Sequence, residues 1–258
     1  MIDAGKGTKF GSLDTLDEDV YWTRTRFDDR HFPSVEFKRR AAPNGAISVV
    51  FSGDWGIAQA NSEPNFEVTR AGIYFLGSQA GGPMSPDLLF VPANGDRPVP
   101  VLSSPTFWPT WRRDHDRMFF AALSLGSPET VVSVLVDGET APQALATVPI
   151  ATARIEGMDA DFLYFSDGAS IWQVGKADGT TTRLFEDHFL GPILVDGQQV
   201  IYTARTESEP VLRSFSKADG ATRTLASGGR LLGISQIEQD DELVYLLHTS
   251  GVSVVAKN

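Results

Sequence analysis

A short, mostly apolar run built around an aromatic residue returns six times along the chain. The runs are "VYW" at 20–22, "IYF" at 73–75, "MFF" at 118–120, "LYF" at 163–165, "IYT" at 201–203 and "VYL" at 244–246. Their centres, Tyr21, Tyr74, Phe119, Tyr164, Tyr202 and Tyr245, are 53, 45, 45, 38 and 43 residues apart. Each run follows an acidic or glycine-containing turn segment, such as "LDED", "DHDR" or "QDDE". A second marker recurs out of phase: "PNGA" at 43–46, "ANGD" at 93–96, "VDGE" at 136–139, "ADGT" at 177–180 and "ADGA" at 218–221. Asn-Gly and Asp-Gly between apolar runs are strong hairpin signals, because a type I′ turn requires positive φ at both central residues. Two independent markers sharing one period identify an internal repeat of 40–45 residues.

Each period has room for four strands. The fourth reads "ATARIEG", "DFLYFS", "SIWQVGK" and "TTTRLFE"; the fifth reads "GPILVD", "VIYTAR", "VLRSFSK" and "TRTLAS". No segment carries a capped amphipathic helix. "SPETVVSVLVDG" at 127–138 comes nearest, but its β-branched residues lose rotamer freedom in a helix and favour a strand. A β-sandwich or barrel with evenly spaced hairpins is the competing architecture, and it requires no phase-locked markers. Four-stranded units at this spacing describe propeller blades, and six of them use up 258 residues. The predicted fold is an all-β, six-bladed propeller in a single domain. Its blades fall near 9–52, 53–105, 106–150, 151–188, 189–229 and 230–258, the last completed by 1–8. After Tyr245 the sequence continues for 13 residues, enough for three strands of the sixth blade and no fourth. The stretch "MIDAGKGT" is a short and poor strand to complete it, so the expectation is weak closure or a longer natural N-terminus.

The repeat motifs resemble two known groups. "DVYWT" at 19–23 and "LYFSD" at 163–167 resemble the YWTD repeats of low-density-lipoprotein-receptor propellers, and "KADGTTTRLFED" at 176–187 and "KADGATRTLAS" at 217–227 look like the turn and strand that follow in them. "PTWRRDHDRMFF" at 109–120 is similar to the TolB-like propeller strand, with Arg112, Arg113 and His115 departing from it. Arg24 stands where the YWTD aspartate belongs in unit one, and units two, three, five and six also lack it. The resemblance implies six blades and a periplasmic or extracellular setting. It leaves function open, since such folds bind proteins, bind small ligands or hydrolyse substrates.

Composition narrows the partners. The formal net charge of −11 opposes binding to phosphate backbones, so no nucleic-acid partner is expected. Without cysteine there is no disulfide framework, thiolate zinc site or cysteine nucleophile. No apolar run reaches the roughly 18 residues of a membrane span, and "MIDAGKGTKF" lacks the apolar core of a secretory signal.

In a blade the first strand lines the axis. Turns between first and second strands, and between third and fourth, therefore share one face. Asp17, Asp19, Asp114, Asp159, Asp196, Asp240 and other acids fall there. Aspartate suits turns, so turn chemistry comes before a cation or basic-partner surface as their explanation. The opposite face receives the long loops "TRTRFDDRHFPS" at 23–34, "SGDWGIAQANSEPN" at 52–65 and "LGSQAGGPMSPD" at 76–87. Loops longer than the repeat needs are where function tends to sit. The expected function is non-catalytic recognition of a protein or small molecule on that face, without a cofactor. The candidate binding residues are Arg24, Arg30, His31, Asp54, an exposed Trp55, Trp108 and His188. The alternative is a lactonase- or hydrolase-like enzyme with a divalent metal such as Ca²⁺ in the channel. A hard cation wants oxygen ligands. Counting back eleven residues from each central aromatic gives Phe10, Glu63, Trp108, Ala153, Gly191 and Ile234, so only Glu63, with Asn61 and Asn65, offers such ligands. No helical histidine pair and no nucleophile elbow is present.

Overall fold

The computed structural model describes residues 8–27, 33–41, 45–57, 66–79, 87–95, 97–102, 110–123, 128–151, 154–248 and 251–257. Six antiparallel sheets follow one another along the chain. The first is β1 (Thr8–Leu16), β2 (Asp19–Phe27), β3 (Pro33–Arg40) and β4 (Ile47–Gly53). The second contains β5 (Trp55–Ile57), β6 (Phe66–Val68), β7 (Gly72–Gln79), β8 (Asp87–Pro92) and β9 (Val99–Leu102). The third is β10 (Thr110–Asp114), β11 (Arg117–Leu123), β12 (Thr130–Val136) and β13 (Gln143–Val148). The fourth is β14 (Ile155–Met158), β15 (Phe162–Ser166), β16 (Ser170–Gly175) and β17 (Thr181–Glu186). The fifth is β18 (Phe189–Val195), β19 (Gln199–Arg205), β20 (Pro210–Ser216) and β21 (Thr222–Ser227). Among the described residues the sixth is β22 (Ile234–Gln239), β23 (Leu243–His248) and β24 (Gly251–Ala256). Among the described residues there is no α-helix, only a 3-10 turn at Gly229–Leu231. These are the blades of a β-propeller. The chain divides into two compact units, residues 1–125 with 133–144, and 126–132 with 145–258.

The recurring aromatics are explained by packing between consecutive sheets. In the first unit Tyr21, Val35 and Phe37 of one sheet meet Phe66, Ile73 and Phe75 of the next. Phe37 sits edge-on to Phe66 at 5.4 Å between ring centroids. Tyr74, on the other face of β7, joins Phe90, Trp111, Met118 and Phe120. Tyr74 is fully buried, so its hydroxyl needs partners: it accepts from the Gly138 N–H at 2.9 Å and donates to the Glu139 carbonyl at 3.2 Å. In the second unit Tyr164 packs against Ile193, Val200 and Tyr202. Burying side chains of this size contributes roughly 1.5–3 kcal/mol each.

One marker is out of register. Tyr164 and Tyr245 each follow by five residues an aspartate that caps the preceding turn, Asp159 and Asp240. The corresponding cap in the fifth sheet is Asp196, and five residues on is Ile201, not Tyr202. Ile201 faces the sixth sheet with Ile237 and Val244, whereas Tyr202 faces back to Tyr164. A one-residue shift in a strand exchanges faces, so Ile201 is the counterpart of Tyr164, and Tyr202 packs on the opposite face of its strand.

Two further expectations are corrected. Gly95, Gly138, Gly179 and Gly220 have φ of +76°, +85°, +70° and +71°, but the Asn or Asp before each does not share the positive φ, and Gly45 lacks it altogether. The turns are therefore not type I′. In "KADG" and its later copy the Gly179 N–H bonds the Gly175 carbonyl and the Gly220 N–H bonds that of Ser216, closing wider loops with a left-handed glycine at the end. Trp55 is also not an exposed loop residue. It begins β5, which pairs with the far half of β7 (Trp55↔Gln79), while β6 pairs with the near half (Phe66↔Phe75). Two short strands thus share the work of one first strand, and the half-buried Trp55 ring lies edge-on to Phe75 at 6.4 Å.

Candidate functional site

Short hairpins set which first-strand residue stands opposite five of the six central aromatics; Tyr202, out of register, pairs with Ile193. The pairs are Tyr21↔Asp14, Tyr74↔Glu67, Phe119↔Arg112, Tyr164↔Gly157 and Tyr245↔Glu238, a constant offset of seven. At these paired positions the charged residues are Asp14, Glu67, Arg112 and Glu238. A count of eleven passes over all four.

In the first unit three of these strands bring titratable side chains together. Asp14 accepts the Val68 N–H at 2.7 Å and the Thr15 N–H at 2.7 Å. Arg113 donates to the Val68 carbonyl at 2.8 Å and lies 3.6 Å from the Glu67 carboxyl. β6 is thus clasped by its neighbours through both its backbone and its side chain. The Glu67 side chain is only 17% exposed. Burial pushes its carboxyl up, the Asp14 charge adds to this, and Arg113 with Trp111 pulls against them; the result is a pKa of about 7. A carboxyl poised there exchanges a proton at neutral pH, the property required of a general acid or base.

Of the binding residues expected from sequence, Arg24, Asp54 and His188 fall among the described residues. Arg24 is half-buried on β2 opposite Glu36, and its Nε has no hydrogen-bond partner. Asp54 is exposed at the bend between β4 and β5, next to the packed Trp55. His188 is exposed in the second unit; its N–H donates to Asp187 at 2.8 Å and its carbonyl accepts from Arg205. Asp187 beside it is structural, taking the Tyr202 hydroxyl at 2.8 Å and Arg213 at 2.5 Å. Arg30, His31 and Trp108, and the metal candidates Asn61, Glu63 and Asn65, lie outside the described residues. Among the described residues no three His, Asp or Glu side chains come together as a metal site.

The acidic turns follow turn chemistry. Asp159, Asp196 and Asp240 each accept two backbone N–H groups with one carboxylate oxygen. The second oxygen of Asp159 takes the Tyr164 hydroxyl at 2.7 Å and Lys217 at 2.5 Å. Burial raises the Asp159 carboxyl, but Lys217, Tyr164 and the backbone donors outweigh it and hold the group below its usual value. Lys217 also lies over the Tyr164 ring, 4.7 Å from its centroid, and bonds the Asp196 carbonyl. The acids here lock one blade to the next.

No protein-family model matches the chain, and no curated protein matches it in sequence. Solved structures match in fold. A prolyl endopeptidase aligns with 97% of the chain at a TM-score of 0.63 and 10% identity, and the chain spans about two-fifths (41%) of its length. An oligogalacturonate lyase from Vibrio parahaemolyticus aligns with 81% of the chain and 66% of its own, at a TM-score of 0.55 and 8% identity. A 6-phosphogluconolactonase assignment from Bacteroides fragilis aligns with 93% of the chain and 77% of its own, at 0.53 and 10%. At such identities the likeness is one of fold, and the fold it supports is the β-propeller.

Proposed function

We propose that this protein is a hydrolase-like propeller, of the kind that opens a lactone or ester, with Glu67 as its proton-handling residue. The observation that carries this is the Glu67 carboxyl, largely buried beside Asp14 and Arg113, with a pKa of about 7. In its ionised form Glu67 takes a proton from a water that attacks the carbonyl carbon. The carbon–oxygen bond then breaks, the leaving oxygen regains the proton, and a hydroxy acid results. The Arg113 guanidinium beside it, whose Nε and Nη1 hold the His115 and Val68 carbonyls, offers its remaining N–H groups to the oxyanion. The lactonase, lyase and peptidase names among structures of like fold support an enzyme over a purely non-catalytic role. The repeats' YWTD-like and TolB-like character adds the propeller but no chemistry. A channel metal finds no ligand set among the described residues, so no step is assigned to one.

The test is hydrolysis of a panel of γ- and δ-lactones and aryl esters, with and without Mn²⁺ or Ca²⁺. Turnover should rise with pH through about 7, and Glu67→Gln should lose roughly 10²–10⁴ of it. No turnover by the wild type, or full activity in Glu67→Gln, removes the reading. A second reading, recognition without chemistry, is favoured by Arg24, whose buried Nε has no partner. An Arg24→Met protein that retains its affinity for a captured ligand would exclude that site.

A further inference from the structure

In the second unit, the fifth and sixth sheets enclose an open cleft of about 970 Å³ around Asp196. Apart from Gly197 and Ala221, every lining residue is polar or charged, and no aromatic is among them. Counting hydrogen bonds separates the groups that hold the fold from those that face the cleft. One Asp196 oxygen takes the Gln198 and Gln199 N–H groups at 2.7 and 2.8 Å; the other takes the Gln239 amide at 2.6 Å and that of Gln199 at 3.4 Å. Asp219 accepts the Ala221 N–H and Asp240 two backbone N–H groups and the Tyr245 hydroxyl. The Gln199 side-chain oxygen Oε1 takes the Ser214 hydroxyl at 2.6 Å. Most of the cleft's carboxylates are thus engaged in turns.

Gln239 is different. Its amide nitrogen must point at the Asp196 carboxylate, which fixes its orientation. Its carbonyl oxygen is then left as a buried acceptor with no donor. An unsatisfied buried acceptor is costly, and a ligand donor that displaces the groups closing it off from solvent relieves that cost. The lining also decides the ligand's charge. An anion meets Asp196, Asp219, Asp240 and Asp241; a cation meets Arg223 and Lys257. A hydroxyl group suits both, since it donates to Gln239 and accepts from Arg223.

We propose that this cleft binds a neutral, polyhydroxylated ligand, a short saccharide chain, through hydroxyl groups paired with Gln239, Asp241 and Arg223. With no aromatic platform in the lining, recognition rests on hydrogen bonds, so affinity is modest and sensitive to hydroxyl geometry.

The probe is a printed array of neutral, acidic and amino-sugar oligosaccharides, followed by calorimetry on the best neutral binder. Binding should favour neutral glycans and weaken at least tenfold in Gln239→Leu and in Arg223→Ala. Arg223→Ala guards against a folding artefact, since it removes a side chain on the outermost strand β21 and should leave the melting temperature unchanged. Glu67→Gln, in the other compact unit, should leave glycan binding intact, which separates failure here from failure of the hydrolase reading. The proposal is overturned by the absence of any neutral glycan signal, by binding confined to charged glycans, or by wild-type affinity in both variants.

Discussion

Tyr164 and Tyr245 occupy equivalent places: each is five residues after an aspartate and bonded to it, at 2.7 and 2.6 Å. Their surroundings differ. Tyr164 is fully buried, and its hydroxyl is one donor in a network with Asp159 and Lys217, whereas Tyr245 is accessible. Tyr164→Phe should cost about 1–3 kcal/mol in chemical denaturation, because a buried carboxylate loses a partner; Tyr245→Phe should leave the midpoint unchanged. Equal losses would mean that the bond matters and its burial does not. At this scale the sequence was informative about residue type and weak about placement. Tyr164 was legible as a repeat marker. A count of eleven along the first strand passes over Glu67 because the hairpin places it seven residues before Tyr74, and nothing local distinguishes a three-residue strand such as that of Trp55 from a loop.

At the scale of the element, the turns carry the repeat. Gly179 and Gly220 close copies of the same loop at nearly the same φ. A Cβ on Gly179 would lie 2.1 Å from the Leu145 carbonyl oxygen, whereas one on Gly220 meets nothing within 4 Å. Gly220→Ala should therefore cost only the conformational term, about 1–2 kcal/mol, and Gly179→Ala clearly more, read as the difference in melting temperature. His115 has φ +56° in its hairpin and is exposed. His115→Gly should raise stability by up to about 1 kcal/mol in the same assay. The presence of these turns was legible from Asp-Gly and Asn-Gly spacing. Their type was not, since it depends on whether the aspartate side chain accepts a hydrogen bond from the loop backbone, as Asp178 does from the Thr180 N–H at 2.9 Å. The slip of Tyr202 was hidden for a related reason: a strand tolerates an aromatic on either face, and only the neighbouring sheet decides which face is wanted.

For the whole molecule the clearest prediction concerns pH. The Glu67 pKa is higher in the folded state, about 7, than in the unfolded chain, near 4.5. Between those values the native state holds the extra proton, so this group's stabilisation is complete below about pH 4.5 and is lost as pH rises through about 7. Asp159 acts in the opposite sense, its carboxyl being held low, and its contribution is lost only as acid protonates it. Glu67→Gln should flatten the decline in melting temperature between pH 5 and 8, and an unaltered decline would show that Glu67 is not the titrating group. No helix among the described residues is long and apolar enough to cross a membrane.

By itself the sequence determined the repeat: six strand groups and their turns. These are local properties, written in alternating apolar residues and in glycines that accept positive φ. Tertiary structure alone decided which acids are spent on turns and which remain available. It placed Glu67 beside Asp14 and Arg113, across strands far apart in the chain, and left the Gln239 oxygen without a donor. Proton affinity and hydrogen-bond satisfaction depend on neighbours brought together by sheet packing, and a period counted along the chain carries no record of them.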